Sequence, residues 1–255
     1  MDGVRGILID IDGVLTVSWR PIDGAVGTLS QLRERDLGVA LLTNTTSKSR
    51  GWIAQTLADA GFDVSIDDIV TAPSATAAYL KQHHPGARCL LLNSGDIGED
   101  LAGITLVEDD PDVVVFGGAG PEFCYDALNR AFGYLQDGAR LIAMQRNLFW
   151  RTDAGLQLDT GAFLLGLERA AHLEAEVVGK PAASFFTGAL SAIGVRAAQA
   201  MMIGDDIESD VLAAQEIGIT GVLVKTGKYL PETLRDADGT PDHVIDSIAG
   251  LPGLL

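Results

Sequence analysis

Two aspartates, Asp10 and Asp12, end an apolar run in the segment ILIDIDGVLT, residues 7–16. An apolar run without alternation is typical of a parallel strand that is covered on both faces. Such sheets bind ligands at the carboxyl ends of their strands. On an extended chain the two side chains leave the same side, so the carboxylates repel each other unless a cation joins them or one is protonated. Because Mg²⁺ prefers oxygen ligands, the pair indicates a magnesium site.

A second acidic cluster follows another apolar run, in MMIGDDIESD at residues 201–210. It contains Asp205, Asp206 and Asp210. Helix capping explains one acidic strand end. Two such ends in one α/β chain favour a shared ion that is bound from both sides.

Two further segments suit an anion beside that ion. Thr43 and Asn44 end the apolar run of LLTNTT just before a predicted helix, whose N-terminal N–H groups and dipole favour phosphate. An ordinary helix cap is the alternative for Thr43. Lysine is scarce in this chain, so Lys180 in VVGKP stands out at a third strand end, and Lys225 and Lys228 also merit examination.

Composition limits the class of protein. The formal net charge of −17 over 255 residues argues against a nucleic-acid partner and against an anionic membrane surface. We find no apolar stretch near the ~20 residues that a membrane helix needs, and no signal peptide. Cys89 and Cys124 are predicted to be reduced thiols. A cytoplasmic protein is the expectation.

Strand-like and helix-like segments alternate along the chain, which predicts an α/β fold with a mostly parallel sheet. The middle differs, because short strands lie between turns rich in glycine and aspartate, with two helices near 121–137 and 161–175. We expect a discontinuous core domain over 1–74 and 179–255. Residues 75–178 would form an inserted α/β domain.

Four segments together resemble the four motifs of the haloacid dehalogenase-like (HAD) hydrolase superfamily. They are, in the family's order, DIDGVL, LLTNTT, GKP and GDDIESD. The insertion between the second and third motifs resembles the C2-capped subfamily IIA, which includes the NagD-type phosphatases. The segments look most similar to the group of haloacid dehalogenase-like domain-containing protein 2 and phospholysine phosphohistidine inorganic pyrophosphate phosphatase. This resemblance implies a Rossmann-like doubly wound parallel-sheet core with an inserted α/β C2 cap domain.

The resemblance also implies catalytic roles. Asp10 would be the nucleophile that forms an aspartyl-phosphate, and Asp12 the general acid and then the base that activates water. Mg²⁺ would bind the Asp10 carboxylate, the Asp12 main-chain carbonyl and Asp205. A phosphatase of small phosphate monoesters is therefore expected.

Other residues receive supporting roles from the same resemblance. Thr43 and Asn44 would hold phosphoryl oxygens, and Lys180 would neutralise charge. Asp206 and Asp210 would orient waters and Lys180 from outside the ligand set. The long loop over residues 144–163 carries Arg146, Asn147, Trp150, Arg151 and Asp159, and some of these are expected to face the substrate. Arg146, Asn147 and Asp159 are the candidate substrate contacts. A homodimer through the cap is a family-level expectation.

Alternatives remain at this stage. A pyrophosphate or phosphoamino-acid phosphatase fits the same motifs. A dehalogenase on this fold needs the nucleophile but not Asp12. A receiver domain is about half as long and has its lysine after the acidic cluster, whereas Lys180 precedes it. A non-catalytic protein that binds a phosphorylated ligand would be expected to have lost Asp10 or Asp12.

Overall fold

The computed structural model describes residues 3–35, 37–152 and 155–255. Contacts within the chain divide it into two compact units. The first unit comprises Met1–Thr43, Arg50–Val70 and Lys180–Leu255, and the second comprises Asn44–Ser49 and Thr71–Gly179. Their assignment as a catalytic core and a cap, with the boundaries predicted above, stays a prediction.

The main sheet has six strands. In spatial order they are β15 (His243–Ile245), β14 (Thr220–Val224), β13 (Ala200–Gly204), β1 (Gly6–Asp10), β4 (Gly38–Thr43) and β5 (Ile69–Thr71). The pairs of β1 with β13 and β4, of β13 with β14, and of β14 with β15 are parallel. All five residues of β1 are buried. The predicted α/β fold with a parallel sheet is confirmed.

Helices and short turns of helix complete the first unit. The α-helices are α1 (Ala25–Arg33), α2 (Arg50–Asp59), α6 (Ala183–Ala192), α7 (Ala213–Glu216) and α8 (Pro231–Asp236). A small hairpin follows β1, formed by β2 (Thr16–Val17) and β3 (Arg20–Pro21). Ile7, Ile9 and Leu41 are fully buried in the hydrophobic core of this unit. Each contributes about 1.5–3 kcal/mol of burial free energy, so β1 is firmly anchored.

The second unit contains a five-stranded parallel sheet. In spatial order its strands are β12 (Glu176–Val177), β9 (Arg140–Ala143), β8 (Val113–Phe116), β6 (Arg88–Leu92) and β7 (Thr105–Leu106). Its helices are α3 (Ala72–His83), α4 (Tyr125–Gln136) and α5 (Thr160–Ala171). Among the residues described, no helix is long and apolar enough to cross a bilayer.

The segment over 144–163 differs from the loop that the sequence suggested. It contains an antiparallel hairpin of β10 (Phe149–Thr152) and β11 (Gly155–Leu158). The alternation of Leu156, Gln157 and Leu158 is a strand pattern that the sequence reading missed.

Candidate active site

The register of the main sheet brings three functional strand ends to one edge. Ile9 pairs with Ile203 of β13, and Asp10 pairs with Leu42 of β4. Asp10 therefore ends its strand beside Thr43, the last residue of β4, and beside Asp205, the first residue after β13. The predicted sharing of one ion requires the two acidic strand ends to lie close together, and the pairing of β1 with β13 is consistent with it.

Three buried carboxylates meet at this edge. One carboxylate oxygen each from Asp10, Asp205 and Asp210 lies within 4.8 Å of the other two. All three residues are at most 5% exposed. Such a concentration of like charge away from water is costly unless positive charge is present.

Lys180 supplies one positive charge. Its Nζ lies 2.5 Å from Asp10 Oδ1 and 2.7 Å from Asp210 Oδ1, and the lysine is buried. Burial lowers the pKa of Lys180, but the two carboxylates outweigh that effect and raise it above its ordinary value. Lys180 therefore carries its charge at neutral pH, and one ammonium group faces three carboxylates.

Asp210 reaches the cluster because the chain turns tightly after β13. A Cβ on Gly204 would lie 2.2 Å from Asp210 Cβ, so the close approach needs glycine. Asp206 begins the following π-helix (Ile207–Leu212), and its Oδ1 accepts hydrogen bonds from the backbone N–H groups of Glu208 and Ser209. Burial raises the pKa of Asp206, but these contacts outweigh it and the pKa lies below its ordinary value. Asp206 therefore caps this helix and is negatively charged at neutral pH.

Asp205 has one satisfied and one unsatisfied oxygen. Its Oδ2 accepts a hydrogen bond of 2.6 Å from the backbone N–H of Lys228. Its Oδ1 is buried and has no hydrogen-bond partner among the residues described. Burial and the neighbouring Asp210 raise the pKa of Asp205 to about 6.

The cluster is short of positive charge. Burial raises the pKa of Asp10 well above its ordinary range; Lys180 opposes this, while Asp210 and Asp205 add to it. The unpaired Oδ1 of Asp205 and the three converging carboxylates fit a hard divalent cation, which binds oxygen ligands. The residues present are therefore suited to the metal that the sequence indicated.

Two family models match the chain. The model described as haloacid dehalogenase-like hydrolase matches residues 7–106, and the HAD-hydrolase-like model matches residues 177–251. Phospholysine phosphohistidine inorganic pyrophosphate phosphatase of Rattus norvegicus is 38% identical over 261 residues, covering 100% of this chain and 95% of the rat protein. The chain belongs to the haloacid dehalogenase-like hydrolase family.

Solved structures agree with this family. The p-nitrophenyl phosphatase from Archaeoglobus fulgidus has a TM-score of 0.93 and 28% identity, with 99% of each chain covered. NagD from the E. coli K-12 strain has a TM-score of 0.88 and 27% identity, covering 96% of this chain and 97% of NagD. A glycerol phosphate phosphatase from Mycobacterium tuberculosis, solved in complex with magnesium, has a TM-score of 0.88 and 28% identity, covering 98% of this chain and 76% of that chain. The predicted resemblance to NagD-type HAD proteins is confirmed.

The other residues of the first two predicted motifs lie at or just after the ends of β1 and β4 in the chain, and Asn44 belongs to the second unit. Asp12 is partly exposed and forms a β-bridge with Thr16. Thr43 is buried, and Asn44, which follows it directly, is partly buried. Their roles in catalysis and in phosphate binding stay predictions.

The three predicted substrate contacts in the second unit have structural partners or lie on its surface. Arg146 forms an ion pair with the buried Glu168. Asp159 is buried and caps α5, with Oδ1 accepting a hydrogen bond of 2.8 Å from Thr160 N. Asn147 is exposed. A role for any of them in substrate binding stays a prediction. The side chains of Trp150 and Arg151 lie outside the described part of the structure.

Sequence reasoning gave no role to the segment Thr226–Lys228, which follows β14 and contacts Asp205 through its backbone. The scarcity of lysine drew attention to Lys225 and Lys228 but did not separate them. Lys225 forms an ion pair with Asp246 on the surface. Lys228 has an exposed side chain, with Nζ 3.5 Å from Asp206 Oδ2. A glycine and a lysine after a neighbouring parallel strand were the available signal.

Proposed function

We propose that this HAD-like hydrolase is a Mg²⁺-dependent phosphatase that hydrolyses small phosphate monoesters through an aspartyl-phosphate on Asp10. The observation that carries the proposal is the buried cluster of Asp10, Asp205 and Asp210, with Lys180 as its internal cation. A carboxylate is a good phosphoryl acceptor only where the charge of the incoming phosphate is also compensated. The membership of the family and the phosphatase names of its relatives support the same conclusion.

The first half-reaction transfers the phosphoryl group to the enzyme. A carboxylate oxygen of Asp10 attacks phosphorus and forms the new O–P bond, while the bond from phosphorus to the leaving oxygen breaks. Asp12 donates its proton to that oxygen, so the leaving group departs as a neutral alcohol. Thr43 and Asn44 hold the phosphoryl oxygens, and Lys180 offsets negative charge next to the nucleophile.

The second half-reaction restores the enzyme. Asp12, now a carboxylate, takes a proton from a water molecule as that water attacks phosphorus. The O–P bond to Asp10 breaks, and inorganic phosphate leaves. Asp12 thus acts first as an acid and then as a base, and each role is typically worth about 10²–10⁴ in rate.

Magnesium is proposed as the resident metal. Asp10 and Asp205 would hold it together with the main-chain carbonyl of Asp12, and Asp210 lies close enough to contribute directly or through water. When bound, the ion supplies positive charge at the transferring phosphoryl group. The magnesium complex of the similar glycerol phosphate phosphatase supports this choice.

A second candidate substrate class has a specific observation behind it. The rat relative at 38% identity is named for phospholysine, phosphohistidine and inorganic pyrophosphate. The proposed chemistry at Asp10 serves P–N and P–O–P bonds as well as esters, because the acceptor attacks phosphorus in each case. A panel of phosphate esters, pyrophosphate and phosphoamino acids, each measured with and without EDTA, separates the two classes.

The decisive experiment is turnover of p-nitrophenyl phosphate with Mg²⁺. We expect wild-type turnover that EDTA abolishes, and loss of at least about 10³-fold in Asp10→Asn, which removes the anionic nucleophile. Asp110→Asn is the matched control, because this exposed carboxylate forms a surface ion pair with Arg88. Equal turnover in the Asp10→Asn variant would overturn the proposal, and Mg²⁺ binding without any turnover would favour a non-catalytic binder.

We also propose that the protein forms a homodimer through the hairpin of the second unit. Phe149 pairs with Leu158 across the hairpin, and Leu156 shares that face because it lies two residues away on the same strand. These side chains are 58%, 64% and 60% exposed. Leu158→Glu should convert a dimer to a monomer in light scattering, whereas Leu106→Glu, another exposed leucine, should not. A wild-type monomer at micromolar concentration would contradict the proposal.

A further inference from the structure

We propose that the segment Thr226–Lys228, which follows β14, is a positioning device for Asp205. It fixes the carboxylate so that Oδ2 is held by the protein and Oδ1 is left for the divalent cation. This inference rests on the proposed metal site and adds residues outside the proposed ligand set. Its test therefore measures metal binding itself.

Two hydrogen bonds tie the segment into place. The backbone N–H of Lys228 donates to Asp205 Oδ2 at 2.6 Å. The hydroxyl of Thr226 donates to the main-chain carbonyl of Gly13 at 2.5 Å. The second bond joins the loop after β14 to the loop after β1, directly beyond Asp12.

Two glycines close around the same carboxylate oxygen. Gly13 and Gly227 have φ angles of 87° and 60°, which lie in the left-handed region that favours glycine. A Cβ on either residue would lie 1.9 Å from Asp205 Oδ2. The close approach of both backbones leaves Oδ2 no room to move toward either loop.

The other oxygen shows what this arrangement achieves. Asp205 Oδ1 is buried without a hydrogen-bond partner among the residues described, although an unsatisfied buried carboxylate oxygen is costly. A freely rotating carboxylate would reduce that cost by turning toward a donor. Because Oδ2 is held by the Lys228 N–H and by the two glycine backbones, Oδ1 keeps its orientation. The free-energy cost of burying Oδ1 is then offset only when a cation binds. Partners that orient a ligand in this way typically change metal affinity by about 10–100-fold.

The test measures the dissociation constant of Mg²⁺ by calorimetry on the full chain without substrate. Thr226→Val removes the hydroxyl at nearly constant volume, and we expect Mg²⁺ binding to weaken about 10-fold. Thr226→Ser keeps the hydroxyl and should restore affinity to within about threefold of wild type. Thr233→Val is the matched control, because Thr233 also donates its hydroxyl to a main-chain carbonyl, that of Leu230, on the surface. Thr226→Ala provides the same comparison if valine prevents folding.

The outcomes separate this inference from the proposed function. Unchanged Mg²⁺ affinity in the Thr226→Val variant, with only its metal-free melting temperature lowered, would show a structural role and overturn the inference. Failure of the serine variant to restore affinity would also overturn it. If wild type itself bound no Mg²⁺, the proposed metal site would fail as well.

Discussion

The residues at the carboxyl ends of the strands differ in charge between the two parallel sheets of this protein. In the first unit, Asp10 and Asp205 place buried charge at the carboxyl ends of adjacent strands, and one oxygen of Asp205 has no partner among the described residues. In the second unit, the corresponding position after β6 is Asn93, a neutral amide. Its Oδ1 accepts a hydrogen bond from Gly118 N, and its Nδ2 donates to the carbonyls of Ser94 and Gly95.

The buried carboxylates of the second unit are also paired. Asp159 caps α5, and Glu168 pairs with Arg146 and accepts a hydrogen bond from Ala175 N. The same α/β architecture therefore supports two uses of buried charge. Where every buried carboxylate has hydrogen-bond or ion-pair partners, the charge stabilises the fold. Where carboxylates converge without enough positive charge, the arrangement is typical of a functional site, and we propose that it binds a cation.

The largest expected difference between the two units is in catalysis. Asp12→Asn should lower turnover of p-nitrophenyl phosphate by about 10²–10⁴-fold, because asparagine cannot donate and accept the proton. Asn93→Ala at the second sheet should reduce stability and leave turnover per folded molecule within about twofold. Similar losses in both variants, after correction for the folded fraction, would mean that Asn93 matters for turnover as much as Asp12 does.

The second difference is in response to metal. At a Mg²⁺ concentration about one hundred times its dissociation constant, wild type should gain about 2.7 kcal/mol in unfolding free energy. Asp205→Asn should remove this gain, whereas Asp110→Asn in the second unit should keep it. Differential scanning calorimetry with and without EDTA measures both. A gain that survives Asp205→Asn would place the ion elsewhere.

The fold was predictable because it depends on local patterns, and the same patterns singled out the acidic strand ends, whose roles stay predictions. Uninterrupted apolar runs identified β1 and β13, and a parallel sheet places their acidic ends at the same edge. That the two strands are adjacent in the sheet is a finding of the structure. Asp210 was harder, because its place in the cluster depends on a π-helix and on the close packing of Gly204. The contact of Lys228 with Asp205 is made by a backbone N–H, so only the position of Gly227 and Lys228 after a neighbouring parallel strand could have indicated it. Likewise, the partner of Arg146 lies 22 residues away, so its pairing could not be read from the loop.

A smaller effect is expected at the helix cap of the second unit. Asp159→Ala should cost about 0.5–2 kcal/mol of stability, because Thr160 N loses its acceptor at the start of α5. Asp137→Ala, at the exposed C-terminal end of α4, is the control and should be nearly neutral. Chemical denaturation measures both values. A raised KM without any loss of stability would instead establish Asp159 as a substrate contact.

The smallest expected effect concerns thiol reactivity. Cys89 lies in β6 of the second sheet, where burial and then Asp112 raise its pKa to about 11. At pH about 8 roughly one molecule in a thousand would carry the thiolate, so alkylation should be slow. Cys124 is exposed and should react first. Mass spectrometry after brief iodoacetamide treatment distinguishes the sites, and rapid labelling of Cys89 would show that the second sheet opens readily.

The central claim is that one divalent cation is bound jointly by Asp10 and Asp205. A crystal structure grown with Mn²⁺ in place of Mg²⁺, with anomalous data collected at the manganese edge, tests it most directly. We predict a single strong anomalous peak, with an oxygen of each aspartate about 2.1–2.2 Å from the ion. A peak that contacts only one of the two carboxylates, or no peak at this strand end, would contradict the account.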